Sequence, residues 1–215
     1  MPALKFWHYP GSCSLAPHIL LRELNLDVEV IQPTDLSAAA FGTINPKLRI
    51  PVLSIDGEIV TEVPAILTAI AQLAPAGHSL LGKTPLETAR AYEWMNWLSG
   101  YLHGSCYGGL WRPERFTDDS GALQGIKEKA QVNIKNAYGF VEERLGAGGL
   151  YAVGDGFTVV DLYLLVFYRW GKQIGLEMER EFPKYTDAMK NLVKRESVVK
   201  TLEETKLAPV FEAKI

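Results

Sequence analysis

Cys13 occupies a position at which a protein can activate a thiol. It follows Pro10-Gly11, between a short aromatic strand predicted over residues 4–8 and a helix predicted to begin at Ser14. The first turn of a helix has unpaired N–H groups and the positive end of the helix dipole, and both favour a negative charge. We therefore expect the pKa of Cys13 to lie below about 8.5, the usual value for a free thiol. The competing interpretation is a half-buried structural cysteine, since free cysteine is among the most buried residue types.

Two other segments could bind parts of the same ligand. Ile50-Pro51 begins a run of strand-forming residues. Because proline has no N–H for a strand ladder, it predicts a strand start, a strand edge or a cis peptide bond. Glu62-Val63-Pro64 begins a second helix, whose N-terminus can hold a carboxylate. A short thiol-containing peptide with a free carboxylate would use the thiol, the backbone edge and the anion site together.

The elements that must position these residues divide the chain into two parts. Residues 1–75 are predicted to form an α/β domain, in which Asp56-Gly57 between two apolar runs predicts a β-hairpin. Residues 76–85 are predicted to be a linker, and residues 86–215 an all-helical domain. The other elements predicted from the apolar periodicity are a second strand at 28–31, a short helix or turn at 36–41, and helices at 14–24, 64–73, 86–102, 126–145, 159–172, 183–195 and 198–205. Gly108-Gly109 and Pro113 are expected to break the helical run that follows the linker.

Composition and charge narrow the class of protein. The 215 residues carry a net charge of −3, which argues against binding to nucleic acid. The longest apolar run, at 162–167, is far shorter than the ~20 residues that span a bilayer, and we expect neither a membrane segment nor a signal peptide. The two cysteines, Cys13 and Cys106, fit a reducing compartment and indicate a cytoplasmic protein. The four histidines show no metal-ligand spacing, so no metal is expected.

Four stretches resemble the cytosolic glutathione transferases, and they follow one another in the expected order along nearly the whole chain. They are residues 9–19, 45–53, 61–66 and 157–161. The form Pro-Gly-Ser-Cys-Ser-Leu, followed by Glu-Trp-Met-Asn-Trp, His103 and Trp-Arg-Pro, is most similar to the bacterial beta class. This resemblance implies a thioredoxin-like N-terminal domain, an all-helical C-terminal domain, a homodimer, and glutathione as co-substrate.

The resemblance also implies roles for individual residues. Cys13 would contact the glutathione sulfur and could form a mixed disulfide with it, and the Ile50 backbone would pair with the cysteinyl part. Glu62 and the N–H of Val63 would hold the γ-glutamyl end. The remaining residues aligned with the glutathione site are Arg49 for the glycyl carboxylate, His103 near the sulfur, and Asn96 near the dimer interface and the glutamyl group.

Three departures from the beta-class pattern affect these expectations. Val63 stands where the family usually has Ser or Gly, and a β-branched side chain there could crowd the ligand. Leu48-Arg49 replaces a common Gly-Gln before the proline. The stretch between His103 and Arg112 is one residue longer, which indicates a remodelled pocket for the second substrate. That pocket is expected to be lined by Tyr9, His103, Tyr107 and Trp111.

The sequence therefore predicts a glutathione transferase that conjugates glutathione to a small apolar electrophile. Two alternatives stay open. One is glutathione-dependent thiol–disulfide exchange or peroxide reduction through Cys13, and the other is a ligand-binding member of the fold without catalysis. Replacing Cys13 with alanine separates the first alternative from conjugation, because exchange needs the sulfur.

Smaller features have structural interpretations. Thr158 and Asp161 have the spacing of a capping box, so we expect the acid to be structural. The stripe of Trp94, Trp97 and Tyr101 is expected to belong to the core. Cys106, close to His103 in sequence, could either line the substrate pocket or pack a helix.

Overall fold

The N-terminal part of the protein is a four-stranded sheet with helices. The computed structural model describes residues 2–211. The strands are β1 (Leu4–Trp7), β2 (Val28–Ile31), β3 (Val52–Ile55) and β4 (Glu58–Thr61). Their order in the sheet is β2-β1-β3-β4, with β1 parallel to β2, and β3 antiparallel to both β1 and β4. The helices of this part are α1 (Leu15–Glu23), α2 (Ala38–Phe41) and α3 (Val63–Gln72). This is the predicted thioredoxin-like arrangement.

Local chemistry explains why several of these elements form where the sequence predicted them. Asp56 and Gly57 have φ values of 51° and 92°, as a tight hairpin turn requires at both central positions. The Ile50-Pro51 peptide bond is cis, and β3 begins immediately after it at Val52. Strand β1 ends one residue earlier than predicted, at Trp7.

The C-terminal part is helical. No helix or strand occurs between the end of α3 and the start of α4, and the predicted linker, 76–85, lies in this stretch except for Pro85, the first residue of α4. The α-helices that follow are α4 (Pro85–Trp97), α5 (Gly108–Trp111), α6 (Leu123–Gly148), α7 (Val159–Gln173), α8 (Met178–Glu181), α9 (Pro183–Leu192) and α10 (Glu196–Glu204). A π-helix (Leu98–Tyr107) joins α4 to α5, and two 3₁₀ turns (Pro113–Arg115 and Ser120–Ala122) precede α6. Over residues 2–211, no helix is both long enough and apolar enough to cross a membrane.

The prediction that Gly108-Gly109 breaks the helix is wrong. The backbone stays helical from α4 through the π-helix to Trp111, and Arg112 and Pro113 end it. Gly109 is buried, and a Cβ there would lie 3.2 Å from the Cβ of Ala130 on α6. The absence of a side chain therefore lets α5 approach α6 closely, so the glycine serves packing between helices.

Helix α7 forms the centre of the molecule. Its residues from Val159 to Tyr168 are all buried, and all of them except Asp161 belong to one hydrophobic core that also includes residues of β1, β3, α1 and α3. The predicted capping box begins this helix, because the carboxylate of Asp161 accepts a hydrogen bond from the N–H of Thr158 at 2.8 Å. Burial raises the pKa of Asp161 to about 6, although its hydrogen bonds act in the opposite direction.

The aromatic stripe on α4 differs from the prediction. Trp94 is buried, but Trp97 is only half-buried and Tyr101 is exposed. Trp97 packs against Phe140 of α6 with ring centroids 4.9 Å apart, and Phe140 is itself exposed. The stripe therefore forms the edge of an aromatic surface on α4 and α6.

Candidate active site at the domain junction

Three segments leave the sheet at one end. Trp7 at the end of β1 pairs with Val52 at the start of β3, and Val52 pairs with Thr61 at the end of β4. The chain segments just beyond these three residues therefore emerge side by side. They contain Cys13, the Ile50 backbone and the start of α3, which are the three features that the sequence assigned to one ligand.

The loop that carries Cys13 is tied to both parts of the protein. The hydroxyl of Ser14 accepts a hydrogen bond from the N–H of Tyr9 at 3.1 Å, which closes the loop on itself. The indole N–H of Trp170, on α7, donates to the carbonyl of Gly11 at 2.8 Å. Gly11 has a φ of 75°, in the region that favours glycine. These contacts fix the backbone on either side of Cys13.

The expected low pKa of Cys13 is wrong for the protein without ligand. The thiol lies two positions before the first residue of α1 and is only 6% exposed. Burial raises the pKa of Cys13 to about 12, and nearby backbone N–H groups and the positive charge of Arg112 offset this only in part. The resting thiol is therefore neutral at pH 7.

The backbone before β3 is available to a ligand. Neither the N–H nor the carbonyl of Ile50 has a hydrogen-bond partner within residues 2–211. The loop itself is held by the buried side chain of Asn45, which donates to the carbonyl of Arg49 at 2.7 Å and accepts from the N–H of Lys47 at 3.0 Å. The side chain of Arg49 is exposed. A peptide could therefore pair with Ile50 without displacing an existing bond.

The start of α3 presents the Glu62 carboxylate and the N–H of Val63, which has no hydrogen-bond partner within residues 2–211. Glu62 has a φ of 73°, a conformation that non-glycine residues rarely adopt and that often occurs at functional sites. Its exposed carboxylate is paired with the ammonium of Lys47, which also donates to Thr61 at 2.6 Å. The side chain of Val63 is buried in the core. The crowding that the sequence suggested therefore stays a prediction, and the N–H of Val63 is the group that this position offers a ligand.

His103 approaches this site from the helical domain. It lies in the π-helix, and its ring contacts that of Trp170 at a centroid distance of 5.1 Å. Burial lowers the pKa of His103 to about 4, and the charge of Arg112 acts in the same direction. The charges of Glu62 and Arg112 each affect the pKa of both Cys13 and His103, which is expected of groups around one small space.

Only some of the residues predicted to line the second-substrate pocket are exposed at its surface. Trp111 is 42% exposed, and its ring packs on Trp170 and Tyr107 at centroid distances of 4.8 and 4.6 Å. Tyr107 is fully buried, and its hydroxyl lies 2.6 Å from that of Tyr138. Tyr107 therefore supports the pocket wall from behind instead of lining it, which corrects the prediction. Tyr9 is exposed at the start of the Cys13 loop.

Two other predicted residues lie outside the immediate surroundings of the thiol. Asn96 is exposed on α4 and makes no side-chain hydrogen bond within residues 2–211. Cys106 is 1% exposed, so of its two interpretations the structure favours helix packing. Among residues 2–211, no group of three or more His, Cys, Asp or Glu side chains could hold a metal ion.

Sequence reasoning missed Trp170 and Tyr163, both on α7. Trp170 joins the Cys13 loop to His103 and Trp111. Burial raises the pKa of Tyr163 well above its usual value, a charge on Cys13 would raise it further, and the Ser99 side chain acts in the opposite direction. The available signal was that both aromatic side chains carry a polar group in the largely apolar part of this helix.

Comparisons with known proteins agree with this geometry. Family models of the glutathione S-transferase N-terminal and C-terminal domains match residues 11–73 and 115–196. Glutathione S-transferase GstA of Escherichia coli O157:H7 is 28% identical over 182 residues, which cover 82% of this chain and 86% of that protein. A sphingomonad glutathione S-transferase, solved in complex with glutathione, is 30% identical with a TM-score of 0.80, and the match covers 95% of this chain and 100% of that one. A beta-class enzyme from Sphingomonas chungbukensis is 29% identical with a TM-score of 0.81, with 95% and 100% of the two chains covered. This chain therefore belongs to the glutathione transferase family, with a bacterial beta-class enzyme among its structural neighbours.

Proposed function

We propose that the protein transfers glutathione to a small apolar electrophile, with Cys13 at the thiol site. The observation that carries this proposal is the buried, neutral Cys13 thiol, which lies at the same end of the sheet as the unpaired Ile50 backbone and the start of α3. A neutral S–H can donate a hydrogen bond to the sulfur of bound glutathione as that sulfur ionises. The cysteinyl backbone of glutathione would pair with Ile50, and the γ-glutamyl end would bind Glu62 and the N–H of Val63.

The burial and raised pKa of Cys13 also favour conjugation over thiol–disulfide exchange. Thiol–disulfide exchange and peroxide reduction need an accessible thiolate, because the thiolate is the nucleophile. Cys13 is buried, and its pKa is raised, so it is poorly suited to attack. It is better suited to stabilise the thiolate of another molecule.

His103 would act in its neutral form. With its pKa near 4, accepting a proton from a thiol of pKa about 8.5 would cost about 6 kcal/mol. We therefore assign His103 to shaping and hydrogen bonding near the sulfur, and the thiol proton goes to solvent. The positive charge of Arg112, which lowers the pKa of Cys13, would equally favour a glutathione thiolate beside it.

The test is conjugation of glutathione to 1-chloro-2,4-dinitrobenzene by wild type, Cys13→Ala, Cys13→Ser and Cys106→Ala. We expect Cys13→Ala to lower kcat at pH 6.5 by about 10- to 100-fold, since one donor to the anion is lost. Cys13→Ser keeps a donor and should retain most of the activity, whereas Cys106→Ala, which changes a buried cysteine outside the site, should match wild type.

Two results would contradict the proposal. In the first, the native wild-type protein acquires a glutathione adduct on Cys13 within minutes of incubation with oxidised glutathione, and Cys13→Ser is inactive in conjugation. Exchange chemistry would then be the function. Alternatively, glutathione at millimolar concentration could produce neither a thermal shift nor turnover, and the non-catalytic interpretation would then replace ours.

We also propose that the protein is a cytoplasmic homodimer. The aromatic surface of α4 and α6 supports the dimer, because Tyr92, Tyr101 and Phe140 are 36–41% exposed and lie on or beside the helix that carries Asn96. The two free cysteines support a reducing compartment. Light scattering should give a molar mass twice that of the 23.9 kDa chain. The Phe140→Glu variant should have the mass of a single chain. A wild-type monomer at micromolar concentration would refute this assembly.

A further inference from the structure

Four arginines form no ion pair in the part of the chain that the structure describes, and three of the four lie near the candidate site. The sequence contains nine arginines. Within residues 2–211, ion pairs engage Arg22, Arg90, Arg144, Arg180 and Arg195. Arg169 donates to the carbonyl of Ala208 at 2.9 Å. The other three without an acidic partner in these residues are Arg49, Arg112 and Arg115. All three are exposed, and within the same range Arg49 donates only to the carbonyl of its neighbour Leu48, at 2.9 Å.

These three arginines lie together where the two domains meet. Arg112 ends α5, and the N–H of Arg115 donates to its carbonyl at 3.1 Å across a 3₁₀ turn, so both side chains leave the same short segment. Arg49 comes from the other domain, in the loop before β3. Partial burial lowers the pKa of Arg115, and the positive charges of Arg112 and Arg49 lower it further, as expected of neighbouring like charges.

The acidic groups around this cluster do not neutralise it. Glu114 acts on Arg115 in the opposite direction but forms no ion pair with it within residues 2–211. Glu62 is paired with Lys47. Three positive charges therefore face one free carboxylate, and the cluster has a net positive charge.

Exposed aromatic rings flank the cluster. Trp111 immediately precedes Arg112, and Phe116 immediately follows Arg115; the two rings are 42% and 50% exposed. The ring of Phe116 lies over Gly108, where a Cβ would be 3.4 Å from its Cζ. Trp111 packs on Trp170, whose other contacts are His103 and the Cys13 loop. The surface next to the thiol site therefore combines flat apolar rings with guanidinium groups that lack a counterion.

We propose that the second substrate is an aromatic electrophile that carries an anionic group such as a carboxylate, and that Arg112 and Arg115 bind that group. This inference rests on the proposed transferase function and defines its substrate class. Arg49, in the loop beside Ile50, is left for the glycyl carboxylate of glutathione. The guanidinium groups offer charge-assisted, bidentate hydrogen bonds to a carboxylate, and the rings offer stacking to the aromatic part.

The reaction is a substitution on the ring and needs no oxidant or reductant. The glutathione sulfur forms a bond to the ring carbon that carries a halide. The carbon–halogen bond then breaks, and the halide leaves with the bonding electron pair. The thiol proton is released to solvent.

A matched pair of electrophiles tests the inference. 1-Chloro-2,4-dinitrobenzene is neutral, whereas 4-chloro-3,5-dinitrobenzoate reacts in the same way and carries a carboxylate. We would measure kcat/KM for both with wild type, Arg112→Gln/Arg115→Gln, Arg112→Lys/Arg115→Lys, and Arg180→Gln as a control that changes an exposed arginine elsewhere. The ratio of the two values is the readout, because the charge of Arg112 also affects the thiol site and its loss slows both reactions.

We expect the Gln double variant to lower the benzoate-to-benzene ratio by about 10- to 100-fold, because two charge-assisted contacts are lost from a solvent-exposed place. The Lys double variant should keep part of the preference for the benzoate, and Arg180→Gln should leave the benzoate-to-benzene ratio unchanged. In 0.5 M NaCl the ratio for wild type should fall. An unchanged ratio, with both substrates turned over, would overturn the inference and leave the transferase function intact. A rise in the KM for glutathione in place of a change in the ratio would assign these arginines to glutathione and would also overturn it. No turnover of either substrate, with no thermal shift from glutathione, would overturn both proposals.

Discussion

The burial of Cys13 predicts that this thiol reacts slowly with disulfides. With its pKa at about 12, about one Cys13 thiol in 30,000 is ionised at pH 7.5, against about one in ten for a free thiol of pKa about 8.5. A thiolate of higher pKa is more nucleophilic, and a Brønsted coefficient of about 0.4–0.5 offsets roughly 25- to 50-fold of that difference. The folded protein should therefore react roughly 60- to 120-fold more slowly than the unfolded chain through ionisation alone. Steric burial slows the reaction further.

The assay is reaction with 4,4′-dithiodipyridine, followed by the absorbance of the released thiopyridone. Cys106→Ala isolates Cys13, and Cys13→Ala isolates the other buried cysteine as a matched control. The same variants in denaturant give the rate for an accessible thiol. We expect the rate for native Cys13 to rise about tenfold per pH unit up to pH 10 with no plateau.

One result would refute this reasoning. A native Cys13 that reacts as fast as the unfolded chain, with a pH midpoint below 8, would mean that the helix terminus and Arg112 outweigh burial. The thiolate would then be the resting form, and thiol exchange would become the better assignment.

Three further predictions concern stability and ligand binding. Asp161→Ala should lower the free energy of unfolding in urea by about 2–5 kcal/mol, because two backbone N–H groups at 2.8 Å lose their acceptor; Asp161→Asn, which keeps an amide oxygen, should lose less, and equal losses would contradict this account. Burial lowers the pKa of His18 to about 4 in the folded protein. Below pH 6.5 the unfolded chain therefore binds more protons than the folded protein, so the contribution of His18 to the free energy of unfolding is complete only above that pH. We expect about 3 kcal/mol to be lost as the pH falls from 6.5 towards 4, and a flatter pH profile for His18→Phe; the same profile in both proteins would exclude this histidine as the cause. Trp170→Phe removes the hydrogen bond to Gly11 and should raise the KM for glutathione about fivefold, the equivalent of about 1 kcal/mol, whereas Trp97→Phe should leave it unchanged.

Features that depend on a few neighbouring residues could be predicted from the sequence. The Asp56-Gly57 hairpin and the capping box at Thr158 are set by local backbone geometry, and both are confirmed. Of the alternatives for Pro51, the structure has a cis bond immediately before a strand. The order of the two domains followed from the change in apolar periodicity. The residues themselves suggested that Cys13, Ile50 and the start of α3 share one ligand, and the family resemblance identified that ligand as glutathione.

Features that depend on distant contacts could not be predicted in this way. The pKa of Cys13 is set by burial, and the helix that contributes to that burial, α7, lies about 150 residues further along the chain. Gly109 reads as a helix breaker until the helix that packs against it is known. The arginine cluster joins Arg49 and Arg115 across the two domains, and no spacing in the sequence indicates that they meet.

The π-helix Leu98–Tyr107 suggests how the preference for a second substrate can change. Each hydrogen-bonded ring of a π-helix takes in one residue more than a ring of an α-helix, so such a segment can absorb a one-residue insertion without disrupting the helices on either side. The direction in which Trp111 and Arg112 leave the helix depends on that extra length. Insertion or deletion of a single residue here would rotate both side chains about the helix axis and leave the sheet domain, where Cys13 and Ile50 lie, as it is. New specificities could therefore arise by a change in chain length, with no substitution among the glutathione-binding residues.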